Sequence, residues 1–354
     1  SSDLFIQASS IAGVLRDYCS EIDSVKCEEL FGSSKMKANS NARDYQSRVK
    51  ISDGVFRGEI HLERRPHVSI DRTTGTVSSS NASGQKFDLE YVGAGSEFDF
   101  SAQIFELYEG QDDNDLTAVF DKALSGIHSG EILFGAKKSS GGGKVELLSV
   151  ERIVYDLRKE DDLKCWIENR ISDKADHHYL STVSSDSRKR IAYTVSVEAR
   201  TEGALQVKGI AVSEFGKNAP DSENIRNAEG MFVIPGSSFK GVFRSRIEKI
   251  VQYTNADLKT DLVEACFGSA NESDHSGKCG NMIFEDSIVN VGDYEDIPRR
   301  SRIHIDKFTG GVFSQGLFSE KNICGTLPIN ISIKKDHHSE QALGLLIYAL
   351  RDLA

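Results

Sequence analysis

Apolar positions change their spacing within one short stretch of the chain. In FVIPGSSFKGVFRSRIEKIV (232–251), a continuous apolar run ends at a Pro-Gly pair, and beyond it apolar residues recur every three to four positions. The first pattern is typical of a short strand and the second of an amphipathic helix. Ser237 or Ser238 would cap this helix, because a hydroxyl can accept the free amides of a first turn. The stretch therefore predicts a strand followed by a helix that carries Lys240 and Arg244.

The start of this predicted helix is a candidate phosphate site. The first amides of a helix have no partners within it, and the helix dipole favours an anion at that end. Ser237 and Ser238 would add hydroxyl groups, while Lys240 and Arg244 would add positive charge. The alternative is that the serines only cap the helix and that the two basic residues only face water.

The same pattern occurs near the start of the chain. LFIQASSIAGVLRDYCSEI (4–22) aligns without a gap with FVIPGSSFKGVFRSRIEKI (232–250), although Ala12 stands in the place of Lys240. Because both serines and the first arginine of the helix recur, the first copy is also a candidate phosphate site. Its residues are Ser9, Ser10 and Arg16.

Four further blocks recur in the same order. They are LFGS (30–33) with CFGS (266–269), RVKISDG (48–54) with NMIFEDS (281–287), HVSIDRTTGTV (67–77) with RIHIDKFTGGV (302–312), and GQKFDLEYVGAGSEF (84–98) with QGLFSEKNICGTLPI (315–329). One short match can arise by chance, but an ordered series at slowly drifting offsets indicates an internal duplication. We therefore predict two copies of one domain.

The 354 residues are too many for one ordinary core, which also favours two domains. The predicted boundaries are 1–160 for the first repeat, 161–188 for a linker and 189–354 for the second repeat. We expect the first repeat to lack its N-terminal strand and loop, and the second to lack its C-terminal glycine-rich turn and strand. The linker is charged and rich in turn residues, although Cys165-Trp166-Ile167 indicates that part of it packs.

Each repeat contains strands and helices in an order that favours an α+β fold. The predicted order is strand, helix, strand, long hairpin, helix, glycine-rich turn and strand, the last of these being VELLSVERIVYDL (145–157) in the first repeat. Hairpins instead of continuous βαβ units imply an antiparallel sheet with helices on one face. The predicted fold is ferredoxin-like, or RRM-like, in both repeats.

A glycine-rich turn at 135–144 is the second candidate phosphate element. Glycines allow backbone amides to approach phosphates closely, and lysines would neutralise their charge. The turn is not a P-loop, because no Gly-Lys-Ser/Thr leads into a helix. A flexible surface turn is the alternative. Its three lysines are Lys137, Lys138 and Lys144.

The blocks that contain Ile-Asp, a basic residue and Thr-Gly would begin two long hairpins. Their predicted tips, 76–85 and 311–316, are rich in glycine and serine. Nearby basic residues suggest that the hairpins contact a polyanion, and charge that protects edge strands is the alternative. These residues are Arg64, Arg65 and Arg72 in the first copy, and Arg299, Arg300, Arg302 and Lys307 in the second.

The overall charge decides little about the ligand. The formal net charge is −11, which argues against a uniformly basic surface but allows a local basic groove. Six cysteines without close pairing favour reduced thiols. Cys266, His275 and Cys279 could contribute to a zinc site, although buried thiols beside a solvated histidine are the alternative. Neither a membrane span nor a signal peptide is predicted, so we expect a cytoplasmic protein.

Together these blocks resemble the RAMP superfamily, specifically the backbone subunits of type III CRISPR effector complexes. The resemblance rests on Pro-Gly-Ser-Ser-Phe-Lys-Gly (235–241) with its arginine-bearing helix, on Phe-Gly-Ser, on the Ile-Asp-x-x-Thr-Gly hairpin and on the glycine-rich turn of the first copy. It covers nearly all of both repeats. It implies a modified ferredoxin-like "palm" in each repeat with a protruding hairpin "thumb". Two fused repeats resemble the type III-D and III-E variants.

The resemblance also implies function and partners. The Ser-Ser helix and the glycine turn would grip guide-RNA phosphates, and the thumb would lie across the duplex of guide and target RNA and displace a nucleotide at regular steps. The further partners would be other RAMP backbone subunits or repeats. In this family an aspartate in the loop before the Pro-Gly-Ser-Ser helix cleaves target RNA.

Asp221 is the predicted catalytic carboxylate. It lies in PDSENIRN (220–227), which resembles the family's Ile-Asp-Ser-Pro-Val-x-Arg-Asp, although Pro220 replaces an apolar residue and Glu214 or Glu223 could act instead. A carboxylate here would help to position Mg²⁺ (or Mn²⁺), while the ribose 2′-hydroxyl supplies the nucleophile. The chain would then be a metal-dependent endoribonuclease.

Two other functions fit the same resemblance. One is a structural backbone that binds guide RNA without chemistry. The other is a guide-processing endoribonuclease with histidine as general acid and base. His67 and His304 lie near the hairpins, but His67 aligns with Arg302 and not with His304. A sugar-binding or protein-binding β-rich module remains only if the repeat similarity is discarded.

Overall fold

The structure is a computed structural model that describes residues 4–33, 46–68, 86–106, 114–168, 170, 175–183, 190–209, 223–254, 259–269, 277–292 and 300–354. In the first half of the chain, the elements are β1 (Phe5–Ile6), α1 (Ala8–Ile22), α2 (Ser24–Phe31), β2 (Val49–Ile51), β3 (Gly54–Arg57), β4 (Leu62–Val68), β5 (Lys86–Val92), β6 (Glu97–Asp99), β7 (Ala102–Ile104), α3 (Asn114–His128), a 3-10 turn (Lys138–Ser140), α4 (Glu160–Ile167) and α5 (Tyr179–Val183).

In the second half, the elements are β8 (Ile191–Arg200), β9 (Val233–Ile234), α6 (Gly236–Thr254), α7 (Lys259–Phe267), β10 (Gly268–Ser269), β11 (Lys278–Cys279), β12 (Met282–Phe284), β13 (Ser287–Ile288), β14 (Asn290–Val291), β15 (Arg300–Ile305), β16 (Val312–Glu320), β17 (Gly325–Lys334) and α8 (Ser339–Leu353). Strands and helices are mixed as an α+β fold requires. Both predicted Ser-Ser helices form, as α1 and α6.

Contacts divide the chain into two compact units. The first unit comprises Ser1–Val55, Phe98–Lys138 and Gly142–Arg190. The second comprises Phe56–Glu97, Ser139–Gly141 and Ile191–Ala354. The β4–β5 hairpin and the middle of the glycine turn therefore group with the second repeat, although both precede residue 160 in sequence. The predicted boundaries at 160 and 189 stay a prediction.

The second unit contains the more complete sheet. Its long strand β17 pairs antiparallel with β8, from Thr326↔Arg200 to Lys334↔Ile191, and pairs with β12 and β14 on its other side. Along the chain, β8 comes first of these three strands, β12 second and β17 third. In the sheet β17 lies between β8 and β12, which is the arrangement of a ferredoxin-like sheet. The predicted fold class is confirmed.

Helices α6 and α8 cover one face of this sheet. Residues of β17 alternate, so that Leu327, Ile331 and Ile333 are buried while Pro328 is exposed, as a sheet with one covered face requires. The helices bury residues at helical spacing, which is why the periodic pattern predicted them. The central packing residues are Phe243, Ile247 and Val251 of α6 and Ala342, Leu346 and Ala349 of α8.

The first unit is built from the same parts in a shorter form. Helices α1, α2 and α3 pack with the antiparallel pair β2–β7. The end of the predicted linker joins this core, because Tyr179 and Val183 of α5 are buried in it. Of the three residues that indicated packing, Cys165 is half-buried, whereas Trp166 and Ile167 are 45% and 67% exposed.

The last strand predicted for the first repeat does not form a ladder. Residues 145–150 have no strand partners among the described residues, and isolated bridges join Leu133 to Lys144 just before them and Arg152 to Asp176 just after them. Val145, Leu147 and Val150 nevertheless pack against the first core. Their alternating apolar pattern therefore reflects burial and not strand pairing.

Strand pairing in the two repeats supports the duplication. Strand β1 pairs with β3 as β9 pairs with β13, with Ile6 opposite Gly54 and Ile234 opposite Ser287. The hairpins share one register, because His67 lies opposite Phe87 as the aligned Arg302 lies opposite Phe318. Equivalent residues therefore occupy equivalent positions.

Candidate nucleic-acid interface

Each Ser-Ser helix is capped by an aspartate from a distant block. The backbone amide of Gly236 donates to Oδ1 of Asp286 at 2.8 Å, and the amide of Ala8 donates to Oδ1 of Asp53 at 2.7 Å. Ser237 and Ser238 lie inside the first turn of α6, where the amide of Ser238 donates to the Pro235 carbonyl. The predicted serine caps are therefore wrong.

A sequence signal for these caps exists. Asp53 and Asp286 align in the blocks RVKISDG (48–54) and NMIFEDS (281–287), which the repeat comparison had already paired. A carboxylate at a helix N-terminus satisfies a free amide and complements the helix dipole. This cap occupies the first amide of α6, so that amide is not open to a phosphate in this structure.

The glycine turn of the first repeat meets α6 of the second repeat. The Lys240 ammonium donates to Oγ of Ser139 at 2.8 Å. Gly141 has a φ of +92°, and a Cβ there would lie 2.3 Å from Oδ1 of Asp286, so only glycine fits. Two elements that were predicted separately as phosphate sites therefore form one junction within the second unit.

The three lysines of the glycine turn differ in exposure. Lys137 and Lys144 are exposed, and Lys138 is half-buried at the start of the 3-10 turn. Hydrogen bonds close the base of the turn, because the amide of Phe134 donates to the Gly143 carbonyl at 2.8 Å. The turn thus has a defined backbone on which these side chains are mounted.

Arg65 is an internal residue and not an open cation. Its side chain is 15% exposed, and its Nη1 donates to Oδ2 of Asp286 at 2.5 Å. Its Nε and Nη2 donate to Glu63, whose other oxygen accepts the amide of Ala228. Burial by itself lowers the pKa of Arg65, but the charges and hydrogen bonds of Asp286 and Glu63 outweigh it and raise the pKa. The sequence predicted that Arg65 contacts a polyanion, but in the structure its guanidinium is bonded to Glu63 and Asp286.

The arginine that recurs in the two helices has the same internal contact in both. Nη2 of Arg16 donates to the Gly32 carbonyl at 2.6 Å, and Nη1 of Arg244 donates to the Gly268 carbonyl at 3.4 Å. Both glycines belong to the Phe-Gly-Ser blocks. The recurrence of these two motifs therefore has a structural cause, since the arginine ties the helix to the Phe-Gly-Ser turn.

The first Ser-Ser helix also borders an open cleft of about 370 Å³. Ser9, Gly13 and Arg16 line one side, and Ser47 and Val49 line the other. Ser9 and Ser10 are both exposed. The predicted residues of the first copy are therefore accessible to a ligand, although Arg16 already uses one of its donors.

The Ile-Asp-x-x-Thr-Gly motif forms the turn of the second hairpin. Asp306 accepts the amides of Phe308 and Thr309 at 2.7 and 3.1 Å, and these bonds lower the pKa of its carboxyl group. The predicted tip at 311–316 is therefore wrong, because β16 begins at Val312. Lys307 and Phe308 stand at the true tip, where Phe308 is fully exposed.

The two hairpin histidines contact aromatic rings. His67 stacks on Phe87 with ring centroids 5.4 Å apart, and His304 lies 4.8 Å from the ring of Phe313. These are packing contacts at non-equivalent positions. They add nothing that favours the guide-processing alternative.

Several predicted residues lie outside the described residues, namely Asp221, Glu214, Arg72, His275 and Arg299. The two ends of the loop that carries Asp221 are described. The amide of Gly209 donates to the Glu223 carbonyl at 2.9 Å, and Lys208 forms a bridge with Asn224. The loop therefore leaves from a short paired neck, and its catalytic assignment stays a prediction.

The two described cysteines of the predicted zinc site differ in exposure. Burial, with the charge of Asp336, raises the pKa of the Cys266 thiol to about 12, which opposes the thiolate that zinc requires. Cys279 is exposed. Within the described ranges, no group of three or more His, Cys, Asp or Glu residues could hold a metal ion.

The sequence model of the RAMP superfamily matches residues 2–146 and 181–354. The match covers both repeats, and the chain belongs to the RAMP superfamily. This is a class of CRISPR-associated RNA-binding effector subunits that typically bind CRISPR RNA and other Cas subunits. The predicted membership and the ferredoxin-like palm domains are confirmed.

No curated protein matches the chain. In the part of the chain that the structure describes, none of the helices is both long and apolar enough to cross a membrane.

Proposed function

We propose that the chain is a type III-like effector backbone that binds guide RNA and the duplex of guide and target RNA through both repeats. The observation that carries this proposal is the junction of α6 with the glycine turn. Lys240 donates to Ser139 there, and Ser237 and Ser238 lie in the first turn of the same helix, so the region combines positive charge with hydroxyl groups as phosphate contacts require. The exposed tip of the β15–β16 hairpin would contact the duplex.

The RNA contact is tested by the salt dependence of binding. Lys240→Met should weaken binding of guide RNA and lower the slope of log affinity against log salt by about 1, because one phosphate contact is lost. The matched control is Arg246→Met on the same helix, where Arg246 pairs with Asp352. Equal behaviour of the two variants would remove α6 from the RNA interface.

We further propose that the second repeat cleaves target RNA with Asp221. In this step the 2′-oxygen of a ribose attacks the adjacent phosphorus, its proton leaves, and the bond to the 5′-oxygen of the next nucleotide breaks. The products are a 2′,3′-cyclic phosphate and a 5′-hydroxyl. Mg²⁺ or Mn²⁺, when bound, would neutralise phosphate charge. Asp221 would hold the metal or orient the 2′-hydroxyl, and the paired neck at Gly209 and Glu223 supports its loop.

The test uses the assembled complex with guide and target RNA. Asp221→Ala should abolish one cleavage position, leave RNA binding intact, and reproduce the effect of a chelator at that position. Asp221→Asn should do the same, and Glu223→Gln should keep cleavage. Unchanged cutting by Asp221→Ala would leave a structural backbone as the function.

A further inference from the structure

A buried carboxylate at the base of the second hairpin holds two cations together. Glu320 is 5% exposed, and its Oε2 accepts Nε of Arg302 at 2.6 Å. Its Oε1 lies 3.6 Å from Nζ of Lys208. The side chains of Arg302 and Lys208 are 53% and 61% exposed. One internal negative charge therefore faces two accessible positive groups.

The fold brings these residues together from three places in the sequence. Glu320 ends β16 directly opposite Arg300, so Arg302 on β15 is its diagonal neighbour. Lys208 arrives through the neck of the loop, where the side chain of Asn224 donates to the Lys321 carbonyl at 2.9 Å and accepts the Val207 amide. Lys208 also lies 5.9 Å from the ring centroid of Phe318.

The arrangement leaves donor capacity outside. A buried carboxylate is costly unless it is paired, so Glu320 keeps both cationic groups close to its two oxygens. Arg302 uses its Nε–H for Glu320, and a guanidinium has four other N–H groups. Two positive charges against one negative charge leave one net positive charge at the surface. An RNA phosphodiester carries the single complementary charge.

We propose that Lys208 and Arg302 bind one RNA phosphate together and that Glu320 is the positioning residue for both. This inference rests on the proposed RNA-binding function and names a phosphate seat at the neck of the loop that carries Asp221. Phe318 pairs with Arg302 and therefore lies on the same face of the hairpin, where its ring centroid is 5.9 Å from Nζ of Lys208. An aromatic ring beside a cationic pair suits a nucleotide, which presents a base next to its phosphate.

The experiment compares Lys208→Met, Arg302→Met and the double variant in the full chain loaded with guide RNA. Affinity for a complementary target RNA is measured by fluorescence anisotropy across a range of salt concentrations. Each single variant should lose about fivefold to tenfold in affinity. Because one phosphate is shared, the double variant should lower the salt slope by about 1 in total, whereas two separate phosphates would lower it by about 2. A drop near 2 overturns the shared seat.

Three controls keep the outcomes distinct. Lys335→Met removes an exposed cation elsewhere in the same unit and should keep the slope of the wild-type chain. If Lys208→Met and Arg302→Met each lose no more RNA affinity than Lys335→Met does, the inference is overturned. The proposed function stands in that case, provided that the wild-type chain binds RNA and Lys240→Met weakens this binding. If the wild-type chain does not bind RNA, the proposed function is overturned.

The role of Glu320 has its own readout. In the Glu320→Gln background the two cations are no longer held at one place, so their affinity losses should become additive. Unchanged coupling between Lys208 and Arg302 would show that Glu320 does not position them. If Glu320→Gln does not fold, the double variant of the two exposed cations still decides whether the phosphate is shared.

Discussion

The N-terminal ends of α1 and α6 are built alike but have different surroundings. Both are capped by an aligned aspartate, and both tie an arginine to a Phe-Gly-Ser turn. At α1, Asp53 is exposed. At α6, Asp286 also accepts a hydrogen bond from Arg65 and lies directly beside Gly141. Lys240 donates a hydrogen bond to Ser139.

This difference shows what duplication preserved and what it altered. The cap and the arginine tie are internal requirements of one helix, so both copies need them. The charged junction around α6 requires a neighbouring hairpin and a neighbouring glycine turn, which only α6 has among the described residues. A motif that recurs can therefore be structural, whereas the surroundings that differ between the two copies are where the proposed RNA contacts lie.

Removing the two capping aspartates should have very different effects. Asp286→Ala removes one of the two carboxylates that pair with the nearly buried Arg65, and it removes the acceptor of the first amide of α6. We therefore expect a loss of about 3 kcal/mol in the free energy of unfolding. Asp53→Ala should cost about 1 kcal/mol, since it removes only a cap. Urea denaturation followed by circular dichroism measures both, and equal losses would contradict the comparison.

Two glycines of the same turn should also differ. Gly141→Ala places a methyl group against Asp286 in a left-handed backbone, so we expect a loss of about 2.5 kcal/mol. Gly135 also has a positive φ, +69°, but its added Cβ would meet open space, so Gly135→Ala should cost about 1 kcal/mol. Thermal unfolding of the pair measures the difference, and a larger loss for Gly135→Ala would refute the close approach at Asp286.

The shared arginine tie should give the smallest difference between its two variants. Arg16→Met and Arg244→Met should each cost about 1.5 kcal/mol, because each removes a charged donor from a carbonyl. Denaturation in urea tests this equality. If Arg16→Met weakens RNA binding and leaves the free energy of unfolding unchanged, the arginine is a ligand for RNA and the structural interpretation fails.

The hairpins show where sequence patterns succeed and fail. Their existence and their common register follow from the aligned blocks. The turn was misplaced because glycine at 310–316 suggested a tip, whereas the Asp306 side chain closes the turn earlier through the amides of Phe308 and Thr309. Arg64 and Arg65 look equivalent in sequence, yet neighbouring residues of a strand face opposite sides, and only Arg65 is buried.

Sequence by itself determined the duplication, the two Ser-Ser helices, the α+β fold and the RAMP membership, because apolar periodicity and ordered motifs are local properties of the chain. Tertiary structure decided which charged groups meet. Arg65 and Asp286 are 221 positions apart, and Lys240 and Ser139 are 101 apart. No local pattern encodes such pairs, since their proximity depends on how the hairpin and the glycine turn pack against α6. The charged and hydroxyl-bearing residues were therefore predictable as types, but their partners were not.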